Sequence, residues 1–327
     1  MRILLWHVHG SWTTAFVQGD HDYLIPVLPD RGPDGRGRAR TWNWPDNARE
    51  VTPAQLDADD VDVVVIQRPH EVALCEGWLG RRPGRGLPAV YVEHNAPQGR
   101  IADMRHPAAG FLPIVHVTYF NDLFWDCAPS PTRVIEHGIV DPGYRYTGEL
   151  PRVAVAINEA RRRGRVTGTD LLPRLVTHAG ACGLRPPARR AHSTNGTVPF
   201  DLFGIDAGAL GGVDDPPQEV LHRELPRRRA YLHPIRWTSL GLTLLEAMHL
   251  GVPVVALATT EVPDAVPADA GIVSTRVDEL RAGIERLIAD PDEARELGLR
   301  GRVAALERYG LQRFLDDWDD LLEEVVR

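Results

Sequence analysis

Short apolar runs separated by turn formers recur along the chain. Leu4, Leu5 and Trp6 make the first run, which ends at His7, Val8, His9 and Gly10. Residues 61–66 (V-D-V-V-V-I), 89–92, 113–117 and 133–135 follow. Runs this short and apolar predict strands covered on both faces. Between them, Glu71–Leu79 sets Val72, Leu74, Cys75 and Leu79 at helical spacing. Turn formers dominate residues 30–47, which predicts mostly loop.

Residues 141–151 (D-P-G-Y-R-Y-T-G-E-L-P) carry no apolar period, and a domain boundary is expected there. The alternation then restarts. It predicts strands over 153–157, 200–203 and 230–232 and near 272–273. Helices are predicted over 170–176 and 218–225, and three more over 277–326. Residues 185–197 read as disordered. Strands alternating with helices indicate mostly parallel α/β sheets. At 327 residues, the chain exceeds what one core usually takes, so two such domains are expected.

The richest stretch is residues 234–256, P-I-R-W-T-S-L-G-L-T-L-L-E-A-M-H-L-G-V-P-V-V-A. Ser239 is the expected N-cap of a helix, and Gly241 allows close approach to its first turn. Gly251 and Pro253 end the helix, and Val254, Val255 and Ala256 form a buried strand. Unpaired amides at Leu240, Gly241 and Leu242 would sit at the helix's positive pole and bind an anion, most often phosphate. Glu246 lies seven residues past Ser239, about two turns on and on the same side of the helix. Its carboxylate suits a vicinal diol such as ribose. The alternative for any one helical glutamate is plain solvation.

This stretch resembles the signature of retaining, nucleotide-sugar-dependent glycosyltransferases of the GT-B fold, the glycosyltransferase family 4-like or group 1 enzymes. The match runs through Pro234, Gly241, Leu242, Glu246, Ala247, Met248, Gly251, Pro253, Val254, Val255 and Ala256. Thr238 stands where the family has its first glutamate, and Ser239 and Leu240 replace Gly-Phe. The resemblance implies α/β architecture with two facing Rossmann-like domains and an interdomain cleft. Residues 1–145 would form the acceptor-side domain and 146–308 the nucleotide-sugar domain. The final helix, within 309–327, would pack back on the first domain. It implies that Glu246 holds the ribose hydroxyls and that Thr238 faces the donor sugar, with Ser239, Leu240, Gly241 and Leu242 beside it. It also implies hexose transfer from a nucleoside diphosphate sugar to a hydroxyl acceptor, with retention and without metal. The acceptor class is open between a saccharide, a lipid-linked molecule and a small molecule.

Other candidates follow from strand ends, where open α/β sheets bind ligands. His94, between Glu93 and Asn95, matches the family's strand-end histidine, which contacts a donor-sugar hydroxyl. Gly10 and Ser11 occupy the loop after the first strand, where relatives touch both substrates; a tight turn is the competing reading. Residues 158–169 read N-E-A-R-R-R-G-R-V-T-G-T, and Thr167-Gly168 aligns with the family's Lys-Gly pair. Arg163 and Arg165 are the candidates to clamp the diphosphate, since guanidinium forks suit phosphate. Arg236, Trp237, His233 and Glu261 flank the same region. Glu136-His137-Gly138 reads as a structural turn.

Composition narrows the picture. The chain has no lysine, so Schiff-base chemistry and lysine-dependent phosphate loops are excluded. A net charge of −8 argues against a general nucleic-acid binder. Arginine clusters, at 81–82, 161–165, 189–190 and 227–229, are commonly solvated faces and leave peripheral membrane contact open. Cys75, Cys127 and Cys182 are scattered, which predicts a reducing, cytoplasmic setting without disulfides or zinc. Asp214-Asp215 and the aspartates at 317–320 read as solvated, so no metal clamp and no cofactor beyond the donor substrate are expected. The alternatives are a nucleotide-sugar epimerase or hydrolase of the same fold, or a non-catalytic nucleotide-sugar-binding partner subunit.

Overall fold

The structure is a computed structural model that describes residues 1–100, 103–178 and 198–327. The stretch 185–197, Cys182 and the Arg189-Arg190 pair lie outside the described residues. The chain divides into two compact units, Met1–Val140 with Tyr309–Arg327, and Asp141–Arg308.

The first unit is built on seven parallel strands. They are β1 (Arg2–Leu5), β2 (Asp22–Pro26), β3 (Ala48–Val51), β4 (Val63–Ile66), β7 (Ala89–Glu93), β8 (Ile114–His116) and β9 (Thr132–Val134). A small two-stranded ribbon, β5 (Arg82–Pro83) and β6 (Gly86–Leu87), stands apart. The sheet order is β3-β2-β1-β4-β7-β8-β9, so β1 and β4 lie central. Ile3, Leu4 and Leu5, like Val63 to Ile66, are fully buried, as strands covered on both faces require. Helices α1 (Gly10–Phe16), α2 (Glu71–Leu79), α3 (Tyr119–Phe124) and α11 (Leu311–Val326) complete this unit. α11 seats Trp318 edge-on against Trp12 and Phe16, with centroids 5.7 and 5.0 Å apart. Aromatic edges packed this way add to plain burial.

The second unit carries another parallel sheet. Its strands are β10 (Leu150–Ala156), β11 (Thr177–His178), β12 (Pro199–Gly204), β13 (Val213–Asp214), β14 (Arg228–His233), β15 (Val254–Leu257) and β16 (Gly271–Ser274). The order is β11-β12-β10-β14-β15-β16, with β13 also on β12. Its helices are α4 (Ala160–Thr167), α5 (Leu172–Leu175), α6 (Gln218–Glu224), α7 (Leu242–His249), α8 (Val262–Ala265), α9 (Val277–Ala289) and α10 (Pro291–Arg308). Each unit is thus a Rossmann-like α/β layer structure with its own core. Among the described residues, no helix is long and apolar enough to cross a membrane.

Helix α7 shows how sequence sets local structure. From Leu244 to His249 every residue is buried, so the helix is core except in its first turn. Gly251 ends it at φ +80°. Its N–H donates to Met248 O at 2.9 Å, and the Val252 N–H to Ala247 O at 2.9 Å. These two bonds form the Schellman closure for which glycine is favoured. Pro253 then leads into β15, whose Val254, Val255 and Ala256 are fully buried.

Candidate functional site

In the second unit, β14 ends at His233 and the chain loops over residues 234–241 into α7. The helix is capped at Gly241 (φ −76°, ψ 116°), not at Ser239 as expected. Ser239 lies two residues earlier and is buried. The capping residue Gly241 lies directly against His233. A Cβ at position 241 would stand 2.4 Å from the His233 Cε1, so the chain passes over that ring before it turns helical. Leu240 is buried, Thr238 half-buried, and Leu242 and Thr243 are partly exposed. Of the three expected amide donors only Leu242 belongs to the helix. Its N–H and that of Thr243 open the positive end.

Glu246 is not a solvated surface residue: it is 2 % exposed. The Gln218 Nε2 donates to its Oε1 at 3.3 Å. The His222 Nε2 lies 3.6 Å from its Oε2. Both partners come from α6. A buried carboxylate that accepts from the Gln218 amide keeps capacity to accept from further hydroxyls.

The arginine-rich loop folds against the same strand end. Arg161 to Arg165 form helical turns within α4, broken at Gly164 (φ 25°, ψ −90°). Arg163 is half-buried, and its charge, after that of Arg162, helps to hold the Glu159 carboxyl below its usual range. Arg165 is largely exposed and lies 3.3 Å from Asp170. Gly168 adopts φ +74°, and a Cβ there would stand 1.8 Å from the Pro234 carbonyl oxygen. The Arg236 and Trp237 amides both donate to Val166 O, at 2.9 and 3.2 Å. The Arg236 guanidinium clasps Asp170 at 2.5 and 3.0 Å and the Arg165 carbonyl at 2.7 Å. The structure therefore joins the arginine loop and the 234–241 loop into one piece. Arg236 is the strut between them.

The first unit holds His94, Gly10 and Ser11. Gly10 and Ser11 open α1, a helix the sequence reading did not foresee, with His9 as N-cap. His94 follows β7 and is 6 % exposed. Its tautomer is fixed by geometry. Gln67 donates its Nε2 to Trp6 O at 2.7 Å, which turns its Oε1 toward His94 Nε2 at 3.0 Å. The His94 Nε2 must therefore carry the proton, leaving Nδ1 as the acceptor nitrogen. The His9 ring lies against it with centroids 4.1 Å apart. Burial first, then His9 and His137, holds the His94 pKa well below the usual histidine range. The turn at residues 136–138 is structural. Its Glu136 and His137 carbonyls accept from the Arg313 Nη2, at 3.1 and 2.7 Å, and Gly138 lies against Phe314.

Sequence reading missed Gln67, Asp170, Gln218 and His222 as site residues. The i,i+4 polar pair Gln218 and His222 on a predicted helix was the available signal. It missed as well a buried ion-pair geometry in the first unit, His106 Nε2 to Glu93 Oε2 at 3.0 Å. Cys75 and Cys127 are buried. Burial, with Glu71 behind it, pushes the Cys75 thiol up to about 12. Burial and then the carboxylates around it push Cys127 up to about 11. Both are protonated core thiols near neutral pH.

Buried histidines give the fold a definite acid sensitivity. Burial lowers the pKa of His116 and of His233 to about 4 and of His137 to about 3. The unfolded chain protonates these rings below about pH 6.5, whereas the native state does not. Their contribution is intact above that pH and is lost as the pH falls from about 6.5 toward 4, by up to about 1.4 kcal/mol per unit for each. Urea melts at pH 7.5, 6 and 5 are expected to show falling midpoints, and a shallower fall for His233→Phe. A flat profile over that window would contradict the assignment of buried, uncharged rings.

Residues 210–303 match the family described as glycosyl transferases group 1. No curated protein matches the chain in sequence. Among solved structures, sucrose-phosphate synthase from Thermosynechococcus elongatus is similar at TM-score 0.69 and 12 % identity, covering 99 % of each chain. Anabaena HepE in complex with UDP-glucose is similar at TM-score 0.67 and 12 % identity, over 99 % of this chain and 100 % of that one. A glycosyltransferase from Rickettsia africae is similar at TM-score 0.62 and 11 % identity, over 100 % and 98 %. Identities this low speak for the fold alone. The matched segment holds α6, α7 and the loop at 234–241, and the fold agreement spans both units. Residues 210–303 are thus similar to the group 1 glycosyl transferases, and the fold is that of the GT-B glycosyltransferases.

Proposed function

We propose that the protein transfers a hexose from a nucleoside diphosphate sugar to a hydroxyl acceptor with retention of anomeric configuration. The observation that carries this reading is the placement of Glu246. It is buried, yet lies only four residues beyond Leu242, the first residue of α7. That is roughly 6 Å along the helix axis. A phosphate at the helix opening and a ribose diol at the carboxylate then belong to one ligand. HepE, a structural neighbour, has been crystallised with UDP-glucose, which favours the same donor class here.

In this reading the Leu242 and Thr243 amides, with Arg163 and Arg165, receive the negative charge that develops on the departing diphosphate. Preorganised donors of that kind are the main lever on such a step. Thr238 and Gly241 lie on the donor side, with Ser239 and Leu240 as their buried support. His94 contributes a neutral imidazole to a donor-sugar hydroxyl, and Gly10 and Ser11 lie at the same strand edge of the first unit. The departing phosphate oxygen takes the acceptor's proton, so a separate carboxylate base is unnecessary. The lack of lysine leaves phosphate to guanidinium groups and backbone amides, a set that binds it without a metal.

A panel of UDP-, GDP- and dTDP-sugars, each with and without sugar, lipid-linked and small-molecule hydroxyl acceptors, tests this. Diphosphate release that needs an acceptor, with a product of unchanged anomeric configuration by NMR, is the expected result. Release without acceptor would point to hydrolysis. Binding without turnover would point to a partner subunit, the outcome that Thr238 in place of a glutamate favours.

A further inference from the structure

The pair Gln218 and His222 has no part in the reading above, yet the fold aims both at Glu246. They stand four residues apart on α6 and so share one helix face. Gln218 reaches one carboxylate oxygen at 3.3 Å and His222 the other at 3.6 Å. His222 is 6 % exposed, and its Nε2 has no hydrogen-bond partner among the described residues. A polar nitrogen buried without a bond is costly, so its position wants a reason. Closing its gap to Glu246 by a few tenths of an ångström would give it one.

A glutamate needs such help. The last torsion of its side chain is broad and only roughly two-fold, so the carboxylate plane is not fixed by rotamer preference. Gln218 donates to one oxygen, and His222, one turn on along the same helix, would fix that plane once its gap to the other oxygen closes. Two further groups bear on the carboxylate. The Tyr231 hydroxyl on β14 feels its charge, and so does His249 in the last turn of α7. The His249 Nδ1 is already bonded to the Leu245 carbonyl at 2.8 Å, so it is not a donor to the carboxylate.

We propose that Gln218 and His222 are positioning residues that set the plane of the Glu246 carboxylate and thereby the preference for a ribose 2′-hydroxyl over its absence. This rests on the nucleotide reading of Glu246. It assigns α6 a specificity role: the protein would favour ribonucleoside diphosphates over their 2′-deoxy forms, and the margin would be set by two residues that do not touch the ligand.

The test compares dissociation constants by calorimetry for UDP against 2′-deoxy-UDP, and for GDP against 2′-deoxy-GDP, with the full chain. The native protein is expected to prefer the ribo form about tenfold, near the value of one hydrogen bond to a charged group. His222→Phe and Gln218→Leu are each expected to cut that ratio to about threefold or less. His222→Gln, which restores an N–H donor, is expected to recover most of it. A variant that merely loosens the fold weakens both ligands alike and leaves the ratio alone. Gln218→Leu carries the test should His222→Phe fail to fold. A native ratio in both folded variants, with the ratio abolished in Glu246→Gln, overturns the clamp while leaving the nucleotide site standing. Failure of native protein to bind any of the four ligands, or a full ratio in Glu246→Gln, overturns the nucleotide reading and the clamp with it.

Discussion

Glu246→Gln is expected to weaken binding of a ribonucleoside diphosphate about 100-fold while leaving the melting temperature nearly unchanged. The size follows from the charge. Hydrogen bonds to an ionised group contribute roughly 1.5–3 kcal/mol each, against about 1 for neutral pairs. A diol that loses two charge-assisted bonds and keeps at best one neutral one therefore loses about 3 kcal/mol, which is near two decades of affinity. Stability should hold because glutamine is isosteric and its amide can still accept from Gln218 at the 3.3 Å position. The residue is fully enclosed, so the effect cannot be discounted as the screening of a surface charge. Calorimetric titration with UDP and GDP, beside a thermal melt of the same samples, decides the matter. Equal affinity in native and variant protein would remove Glu246 from the site.

The second large effect is expected at Gly168. Alanine there must adopt φ +74° and place its Cβ 1.8 Å from the Pro234 carbonyl oxygen. The left-handed conformation alone costs an L-residue roughly 1–2 kcal/mol. The collision adds more, because both sides are pinned. Val166 O is held by two amides of the 234–241 loop, and the Arg236 guanidinium is locked on Asp170. We expect a destabilisation of at least about 3 kcal/mol, or a displaced loop with no measurable donor affinity. Gly77→Ala is the natural comparison. It lies inside α2, where an added Cβ meets nothing within 4 Å. There alanine should stabilise by about 0.5–1 kcal/mol through helix propensity. Denaturant melts of the two variants should diverge in sign. Similar midpoints for both would disprove the tight coupling of the arginine loop to the 234–241 loop.

Legibility in the sequence followed the range of the forces involved. The succession of α7, Gly251 and β15 was readable because each signal is local: apolar spacing, a left-handed glycine and a proline. The position of the helix cap was not. Ser239 is a good cap by type, but the helix is capped at Gly241, whose lack of a Cβ lets the chain pass against the His233 ring, a contact that local sequence does not encode. Helix α1 was hidden because its short run, G-S-W-T-T-A-F, mixes β-branched threonines with aromatics. Its helicity comes from Trp12 and Phe16 stacking together and packing on Trp318 at the far end of the chain. Strands β2 and β3 are four or five residues long and gain their identity only from pairing beside β1. The place of Glu246 within α7, shortly after the helix start, was legible from its spacing. Its two partners on α6, and the meeting of Gly168 with Pro234, were not, since nothing local encodes a contact across the sheet.

The hydrogen-bond chain behind His94 has a mechanical side. The acceptor character of that ring is decided by the Gln67 amide, which is itself aimed by a carbonyl just past the end of β1. β1 and β4 are neighbours in register, with Leu5 opposite Val65. A slip between these two strands, even one too small to disturb their apolar packing, would free the amide to rotate and swap which nitrogen holds the hydrogen. The sheet's interior alignment thus works as a memory for proton placement at its edge.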